Sequence, residues 1–475
     1  MADSSHAADD RSSYVVVQAV LAAVAVAAVH LPPAATAAIV GTSTVELPCG
    51  GPEPRLSHSC SFGASCMSQP AILNGRPSFP EGLPFARPFT PALDAVTARL
   101  APSYERGELT NGRLVRSLEE QVSERLGSPH VVAVSSCTAG LMLTIQALCP
   151  NKPVLLPSFT FSASGHALVW NGCRPLFAEC DPLTLQLDVA DAEARPGDAG
   201  AILATHVFGA PCNPDAVEKL GRSRGVPIVF DAAHAFGAIH DGRPIGTFGE
   251  AEVFSLSPTK PVVAGEGGLV ATSNKELADR LRIGRDYGNP GDYDTRFVGI
   301  NARMSEFHAA MALESLALLD EQLSLRTAAA ARYSEGIAAV PGITTQFIAL
   351  GDVSTYKDFS IIVDPVEFGL SRDVLVRALA ADGIDTRNYF DPPVHRQQAY
   401  AHLDPGVLPV TDEVCTRVMS LPMFASLPLR AVDQVTDCLL AVHENAEQIA
   451  SSVLFQPGLE HEHAPEPVIP VPRAG

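Results

Sequence analysis

The sequence predicts an α/β fold built on a mainly parallel β-sheet, followed by a second, smaller α+β domain. Between about residues 131 and 272, short β-branched runs alternate with helix-like segments, a pattern typical of a parallel sheet covered on both faces. The chain has 475 residues, which is too long for one ordinary domain. Hydrophobic residues make up 46% of it and charged residues 18%, which permits a large buried core.

The strands of the sheet are predicted from short apolar runs: Val131–Val134, Pro153–Leu156, Ala201–Thr205, Pro227–Phe230, Glu252–Ser255 and Gly268–Thr272. Helices are predicted between some of these runs, at Thr138–Ala147 and Asn213–Arg224. A long helix is predicted at Ala302–Tyr333, which has few helix breakers and apolar residues at helical spacing. We therefore expect a large domain over residues 67–320.

The smaller domain is expected over residues 321–455. Its predicted elements are a strand at Asp358–Asp364, a helix at Arg372–Asp382, the segment Ile384–Tyr389 and a helix at Ala431–Ile449. Residues 456–475 are rich in Pro, Glu and His, and this composition predicts a disordered tail.

The charge and the cysteines exclude some classes of partner. The formal net charge of −20 argues against a nucleic-acid partner, which needs a basic surface. None of the ten cysteines forms a CxxC pair or a Cys/His cluster with zinc spacing, so no metal site is expected. Cysteines scattered through apolar runs are typical of a reducing compartment, which predicts a cytoplasmic protein.

Residues 1–66 differ from the rest of the chain. The apolar run Tyr14–Val29 has sixteen residues, fewer than the roughly 20 that span a bilayer. A secretory signal would have a basic segment before this run, but only Arg11 precedes it and Asp9 and Asp10 oppose it. We expect a disordered extension, or one that is not translated if synthesis starts at Met67. A weak anchor or signal is the alternative.

A lysine in a Pro-, Thr- and Gly-rich loop is the first candidate for chemistry. Lys260 lies in FSLSPTKPVVAGEGG, five residues after the predicted strand end at Ser255. An aldehyde cofactor needs an amine in a partly desolvated place, where enough neutral lysine is available to form an imine. Taken alone, Lys260 is more typical of a surface lysine.

The segment VPIVFDAAHAFGA supplies an acid and a histidine. Asp231 directly follows an apolar strand, at the edge of the sheet where α/β proteins bind ligands. A carboxylate there can keep a pyridine nitrogen protonated, while His234 can contact the same ring. The alternatives are a helix N-cap for Asp231 and a buried structural histidine for His234.

Two further strand ends carry polar or aromatic residues. In AVSSCTAGL, the predicted helix start and the hydroxyls of Ser136 and Thr138 make an anion site suited to a phosphate. In LLPSFTFSASGHAL, Phe161 can stack on an aromatic cofactor. The alternative is that Phe159 and Phe161 both belong to the core.

Taken together, SSCTAGL, PSFTF, FDAAHAFG, FSLSPTK, GEGG and GINARMSE resemble the DegT/DnrJ/StrS family of sugar aminotransferases. The resemblance covers about Ile72 to Ala450 in the family's order and spacing. It implies the fold type I architecture of enzymes that use pyridoxal 5′-phosphate (PLP), with a mainly parallel seven-stranded sheet and a smaller C-terminal α+β domain. It also implies a homodimer with active sites at the subunit interface.

The resemblance implies a role for each matching residue. Lys260 matches the Schiff-base lysine, and Asp231 matches the residue that pairs with the pyridine nitrogen. His234 matches a position near the 3-oxygen of the ring, and Phe161 matches the aromatic residue that stacks on it. The phosphate contacts match Thr138, Ala139 and Ser255. Asn301 and Arg303 match residues that reach the neighbouring subunit's site, and His395 matches a segment near the substrate pocket.

The function implied is transfer of an amino group from glutamate or glutamine to a keto-sugar, expected to be nucleotide-linked. A keto-cyclitol acceptor and a PLP-binding regulator without activity are the alternatives. Related sugar dehydratases have His in place of the lysine, so Lys260 argues against that activity. The shape of the acceptor pocket is expected to depend on loops such as Tyr287–Phe297 and Asp352–Asp358.

Overall fold

The apolar runs of the large domain form a seven-stranded sheet in the computed structural model, which describes residues 69–195, 197–403 and 406–454. The predictions for residues 1–66 and 456–475 lie outside these ranges. The strands of the sheet are β1 (His130–Val134), β2 (Val154–Pro157), β3 (Pro175–Ala178), β4 (Ala201–Thr205), β5 (Ile228–Asp231), β8 (Ala251–Ser255) and β9 (Gly268–Thr272). Between β5 and β8, β6 (Ile239–His240) and β7 (Arg243–Pro244) form a hairpin.

The spatial order of the sheet is β1-β9-β8-β5-β4-β2-β3. Neighbouring strands from β8 to β3 are parallel, whereas β9 runs antiparallel to both β1 and β8. The predicted mainly parallel α/β sheet of seven strands is therefore confirmed. Two of the six predicted strands match their observed bounds, and the other four differ by one residue at one or both ends. The strand at Pro175–Ala178 was not predicted.

Helices cover both faces of this sheet. They are α1 (Leu93–Glu105), α2 (Arg113–Leu126), α3 (Cys137–Leu148), α4 (Ser162–Trp170), α5 (Val189–Ala194), α6 (Pro214–Arg224) and α7 (Lys275–Gly284). Successive side chains of a strand point to opposite faces. In β1, Val131 and Ala133 accordingly belong to one apolar cluster, and Val132 and Val134 belong to another.

The predicted long helix at Ala302–Tyr333 is wrong in its start and its continuity. The helical region consists of α8 (Glu306–Leu316) and α9 (Leu319–Ile337). The first helix begins at Glu306 because Ser305 caps it, its hydroxyl accepting a hydrogen bond from the His308 N–H. Residues 302–304 instead form no regular element, and the Ala302 carbonyl accepts from the N–H of Ser135, the residue after β1.

The smaller unit contains an antiparallel three-stranded sheet, ordered β10 (Ile343–Thr345), β11 (Phe359–Val363) and β12 (Val418–Leu421). Its helices are α10 (Pro365–Phe368), α11 (Arg372–Ala381), α12 (Pro409–Arg417), α13 (Leu429–Glu444) and α14 (Ala446–Leu454). The helix predicted at Ala431–Ile449 is therefore two helices, interrupted at Asn445. Ile384–Tyr389 forms no strand and makes only isolated bridges, from Ile384 and Arg387.

These elements confirm the predicted smaller α+β unit after the large sheet. The proposed domain boundary between residues 320 and 321 falls in the first turn of α9 and stays a prediction. Among the residues that the structure describes, none of the helices is both long and apolar enough to cross a membrane.

Candidate active site

The carboxyl ends of the parallel strands meet at one edge of the sheet and bring the predicted residues together. In the register of the sheet, Thr205 at the end of β4 pairs with Asp231 at the end of β5, and Asp231 pairs with Val253 in β8. Two residues after Val253, β8 ends at Ser255, and the loop that holds Lys260 follows. This edge is where open α/β sheets bind their ligands.

Asp231 lies at the bottom of this edge, with only 4% of its surface exposed. Its Oδ2 accepts a hydrogen bond from the Ser164 hydroxyl (2.6 Å), and its Oδ1 accepts one from the Ala233 N–H (3.1 Å). Burial raises the pKa of this carboxyl, while the two hydrogen bonds and the nearby Lys260 act in the opposite direction. No helix begins after Asp231, where the chain enters a turn, so the N-cap alternative does not apply.

Lys260 faces the same space as Asp231. Within the described residues its amine has no hydrogen-bond partner, while its backbone N–H donates to the Ser257 carbonyl. Burial, followed by the nearby Lys357 ammonium, lowers the pKa of Lys260 to about 7, against the opposing effects of Asp358, Cys137 and Asp231. About half of the amine is thus neutral near pH 7, and the neutral form is the one that attacks an aldehyde.

His234 presents a neutral ring to this space. Its Nδ1 accepts a hydrogen bond from the Phe208 N–H at 3.2 Å, so the proton of the neutral ring resides on Nε2. Burial, Lys260 and Lys357 all lower the pKa of His234 well below its usual value. His234 can therefore donate a hydrogen bond from Nε2 to an oxygen near Lys260, but it does not act as a base through Nδ1.

The start of α3 provides an anion site beside Ser255. The Ser136 hydroxyl caps the helix by accepting from the Ala139 N–H, whereas the N–H groups of Cys137 and Thr138 have no partner in the described chain. Gly268 pairs with Ser255, and a Cβ placed on Gly268 would lie 2.6 Å from the Cys137 nitrogen. Glycine at 268 therefore lets the helix start approach Ser255 closely, which gives the GEGG motif a physical reason.

The other predicted site residues occupy different surroundings. Phe161 is 56% exposed at the start of α4, so the core alternative holds for the fully buried Phe159 and not for Phe161. Asn301 is exposed, and Arg303 forms an ion pair with Asp286.

His395 is buried, and this was not expected from its predicted place near the substrate pocket. Its Nδ1 lies 2.7 Å from the Ser158 hydroxyl, and its Nε2 lies 3.2 Å from Asp412. The ring thereby attaches the Val394–Arg396 segment to the loop that follows β2. Its part in substrate binding stays a prediction.

The sequence reasoning missed a buried ion pair at this site. Lys357 and Asp358 are 5% and 3% exposed, and their Nζ and Oδ1 atoms lie 2.7 Å apart. Their loop packs on the site, since the Thr355 hydroxyl donates to the His234 carbonyl and the Asp358 N–H donates to the Phe208 carbonyl. A Lys-Asp pair directly before the apolar run Phe359–Val363 was the available signal, because charges at such a position are seldom buried without a function.

A family model decides the class of this site. Residues 94–440 match the model of the DegT/DnrJ/EryC1/StrS aminotransferase family. This chain belongs to that family. The aminotransferase is accordingly a PLP-dependent enzyme of fold type I, as the sequence motifs predicted.

Individual relatives agree with the family. The aminotransferase is 29% identical over 366 residues to the spore coat polysaccharide biosynthesis protein SpsC of Bacillus subtilis strain 168, covering 73% of this chain and 93% of SpsC. It matches a crystal structure of DesI, obtained in the presence of its TDP-sugar product, with a TM-score of 0.77 and 34% identity over 81% of this chain and 99% of DesI. It also matches S. venezuelae DesV in complex with a ketimine intermediate, with a TM-score of 0.69 and 33% identity over 74% and 94% of the two chains.

The residues at the sheet edge fit PLP. The cofactor is an aromatic aldehyde with a pyridine nitrogen, a ring oxygen and a phosphate, and each group has a matching partner here. The unpaired N–H of Thr138 and the hydroxyl of Ser255 suit the phosphate. Asp231 suits the ring nitrogen and His234 suits the ring oxygen, while the Lys260 amine suits the aldehyde. The N–H of Ala139, also predicted as a phosphate contact, already donates to Ser136 and is therefore not free. In the described residues no group of three or more His, Cys, Asp or Glu side chains could hold a metal ion.

Proposed function

We propose that this aminotransferase moves an amino group from glutamate or glutamine to a nucleotide-linked keto-sugar, with Lys260 as its base. The observation that supports this best is that Lys260, whose pKa is lowered to about 7, lies at the same edge of the sheet as the buried Asp231. The sugar substrate is supported by DesI, which was crystallised with a TDP-sugar product, and by SpsC, which is named for polysaccharide biosynthesis.

The proposed mechanism divides the work among a few side chains. PLP, when bound, would supply an electron sink for the loss of the α-proton of an amino acid. Lys260 moves that proton between the α-carbon of the donor and C4′ of the cofactor, first as base and then as acid. Asp231 holds the ring nitrogen protonated, and the Nε2–H of His234 binds the ring oxygen. Phe161 covers one face of the ring.

The base is tested by replacing Lys260 with Ala. We expect the variant to lose turnover and the visible absorbance of the imine between lysine and PLP, because the other amine at the site, Lys357, is held in an ion pair with Asp358. Lys275→Ala is the matched control, since the Lys275 side chain is 73% exposed and pairs only with Asp279 on the same helix. Retention of both signals in Lys260→Ala would remove the proposed mechanism.

The acceptor is tested with the pyridoxamine phosphate form of the enzyme. This form is mixed with a panel of nucleotide-linked keto-sugars and keto-cyclitols, and return of the PLP absorbance is measured. We expect a nucleotide-linked keto-sugar to restore it fastest. Restoration by keto-cyclitols alone contradicts the proposed acceptor, and restoration by no compound favours a regulator without activity.

We also infer a homodimer in which Asn301 and Arg303 complete the partner's site. Support comes from the exposed side chain of Asn301, the partly exposed side chain of Arg303 and exposed apolar side chains such as Tyr104 and Phe307. Mixing inactive Lys260→Ala and Arg303→Ala subunits should restore about a quarter of the sites, because half of the randomly formed dimers carry one intact site.

The control for subunit mixing combines Lys260→Ala with Asp231→Asn. Lys260 and Asp231 of one active site come from the same subunit, so each of the two active sites in the mixed dimer still lacks one of these residues. Activity should therefore stay absent. A monomer in sedimentation equilibrium, or no recovery with Arg303→Ala, contradicts the shared site.

We propose a cytoplasmic location as well. The cysteines that the structure describes are all free and buried, as in proteins of a reducing compartment. Cell fractionation with an antibody to the native protein tests this, and recovery from an exported fraction contradicts it.

A further inference from the structure

A line of buried hydroxyl groups connects the end of β4 to Asp231. The Oγ1 atoms of Thr205 and Thr160 lie 3.0 Å apart, Thr160 Oγ1 lies 3.1 Å from Ser164 Oγ, and Ser164 Oγ lies 2.6 Å from Asp231 Oδ2. Thr160 and Ser164 are fully buried, and Thr205 is 6% exposed. The line therefore lies inside the protein, beneath the proposed cofactor site.

The protons of this line can be assigned by counting. Each hydroxyl has one proton, and an ionised carboxylate can only accept. The Ser164 proton is then directed to Asp231, so the contact between Thr160 and Ser164 needs the Thr160 proton. The contact between Thr205 and Thr160 in turn needs the Thr205 proton. With Asp231 ionised, one arrangement makes all three contacts hydrogen bonds, and in it every hydroxyl dipole points toward the carboxylate.

A protonated Asp231 is less well accommodated. If the proton of Asp231 were on Oδ2, each hydroxyl in the line would have to donate in the opposite direction. The Thr205 proton would then have no acceptor in the described residues. If the proton were on Oδ1, that oxygen would accept less well from the Ala233 N–H at 3.1 Å and from the Cys137 thiol at 3.9 Å. Buried hydrogen-bonding groups without partners are costly, so the line favours the charged form of Asp231.

Electrostatic effects on Asp231 act in both directions. Burial raises the pKa of Asp231 overall, and the Ser164 hydrogen bond is the largest of the effects that oppose this rise, ahead of the Ala233 N–H, Lys260 and His206. Hydrogen bonds to a charged acceptor are about twice as strong as neutral ones, and neighbouring bonds in a line polarise one another.

We propose that Ser164, oriented by Thr160 and Thr205, is a positioning residue that keeps Asp231 ionised and holds its carboxylate ready for the pyridine nitrogen. This inference rests on the proposed role of Asp231 in binding that nitrogen. Ser164 does not touch the cofactor in this arrangement and acts only through Asp231. It also explains the polar residues of the TFSAS segment, in which Thr160 and Ser164 lie beside the exposed Phe161.

The test measures binding of pyridoxamine phosphate to the apoenzyme as a function of pH. This probe forms no imine with Lys260, so its affinity reports the ring and phosphate contacts alone. Ser164→Ala should weaken binding about tenfold near neutral pH, the usual effect of losing a hydrogen bond to a charge. The pH below which affinity falls should also move upward, because Asp231 then takes up a proton more easily.

Two further variants test the line itself. Thr160→Val and Thr205→Val should shift the pH profile in the same direction as Ser164→Ala but by less, with Thr205→Val the weakest. Thr436→Val is the matched control, since Thr436 is a buried hydroxyl on α13 that bonds only to the Asp433 carbonyl. It should lower thermal stability without moving the pH profile.

The outcomes separate this inference from the proposed function. If the pH profile of Ser164→Ala is the same as that of Thr436→Val, the line of hydroxyls is only structural and the inference is wrong, while the proposed role of Asp231 still stands. If Asp231→Asn binds the probe as tightly as the native protein at every pH, both the inference and the role of Asp231 fall.

Discussion

The depressed pKa of Lys260 can be moved in two opposite directions by changing neighbouring residues. Lys357 lowers this pKa and Asp358 raises it, although the two side chains form one ion pair. Lys357→Met should therefore raise the pKa of Lys260 above about 7, and Asp358→Asn should lower it. Burial, the largest cause of the depression, is unchanged in both variants.

The size of the effect follows from the titration of an amine. At pH 7.5 an ordinary lysine is neutral in about 0.1% of molecules, whereas a pKa of about 7 makes about three quarters neutral. A neighbouring charge typically moves a pKa by about one to two units. Loss of Lys357 should then reduce the neutral amine at pH 7.5 by between about threefold and twenty-five-fold.

The assay is acetylation of the apoenzyme with trace acetic anhydride between pH 6 and 10. Mass spectrometry of the Lys260 peptide gives the rate at each pH, and the exposed Lys275 is the internal standard. Circular dichroism first establishes that each variant is folded, and Asp358→Asn still gives a result if Lys357→Met does not fold. An unmoved midpoint in Lys357→Met, or shifts of the same sign in both variants, would refute this electrostatic account.

Three more predictions test other contacts. Glu306→Ala should lower the free energy of unfolding in urea by about 3–5 kcal/mol, because the buried Glu306 carboxylate accepts from three N–H groups at the start of α2. Glu335→Ala is the exposed control and should lower this free energy by less than about 0.5 kcal/mol. Equal losses in the two variants would contradict this prediction. Gly268→Ala should weaken PLP binding by displacing the start of α3, while Gly284→Ala, whose nearest contact is a leucine side-chain end at 3.0 Å, should not. The ring of His234 should remain neutral and protonated on Nε2 from pH 6 to 8 in ¹⁵N NMR, because its pKa is lowered; a titration near pH 6.5 would contradict this.

The strands and the motif residues were accessible from the sequence because both depend on local patterns. A buried parallel strand is a short, continuous apolar run, and the residue after it lies at the edge of the sheet wherever the strand is placed. Asp231 and Lys260 could therefore be assigned to one site from their positions after β5 and β8. The long helix was mispredicted because a helical apolar pattern does not show that Ser305 caps the chain at Glu306.

The state of the site depended on residues far apart in the chain. Lys357 and Asp358 come from the loop before β11, almost a hundred residues after Lys260. Their position before an apolar run can signal buried charges, but it does not show that these charges lie beside Lys260. The hydroxyls of Thr160, Ser164 and Thr205 are similarly ordinary polar residues until the fold places them in a line.

The sequence by itself determined the architecture and the family, and it singled out Lys260 as the candidate reactive lysine, because each follows from apolar runs and short motifs. Only the tertiary structure decided the protonation of that site: that the pKa of Lys260 is lowered to about 7, that His234 carries its proton on Nε2 and that hydroxyl dipoles converge on Asp231. The physical reason is that a pKa depends on burial and on charges within a few ångströms, and both are set by contacts between distant parts of the chain.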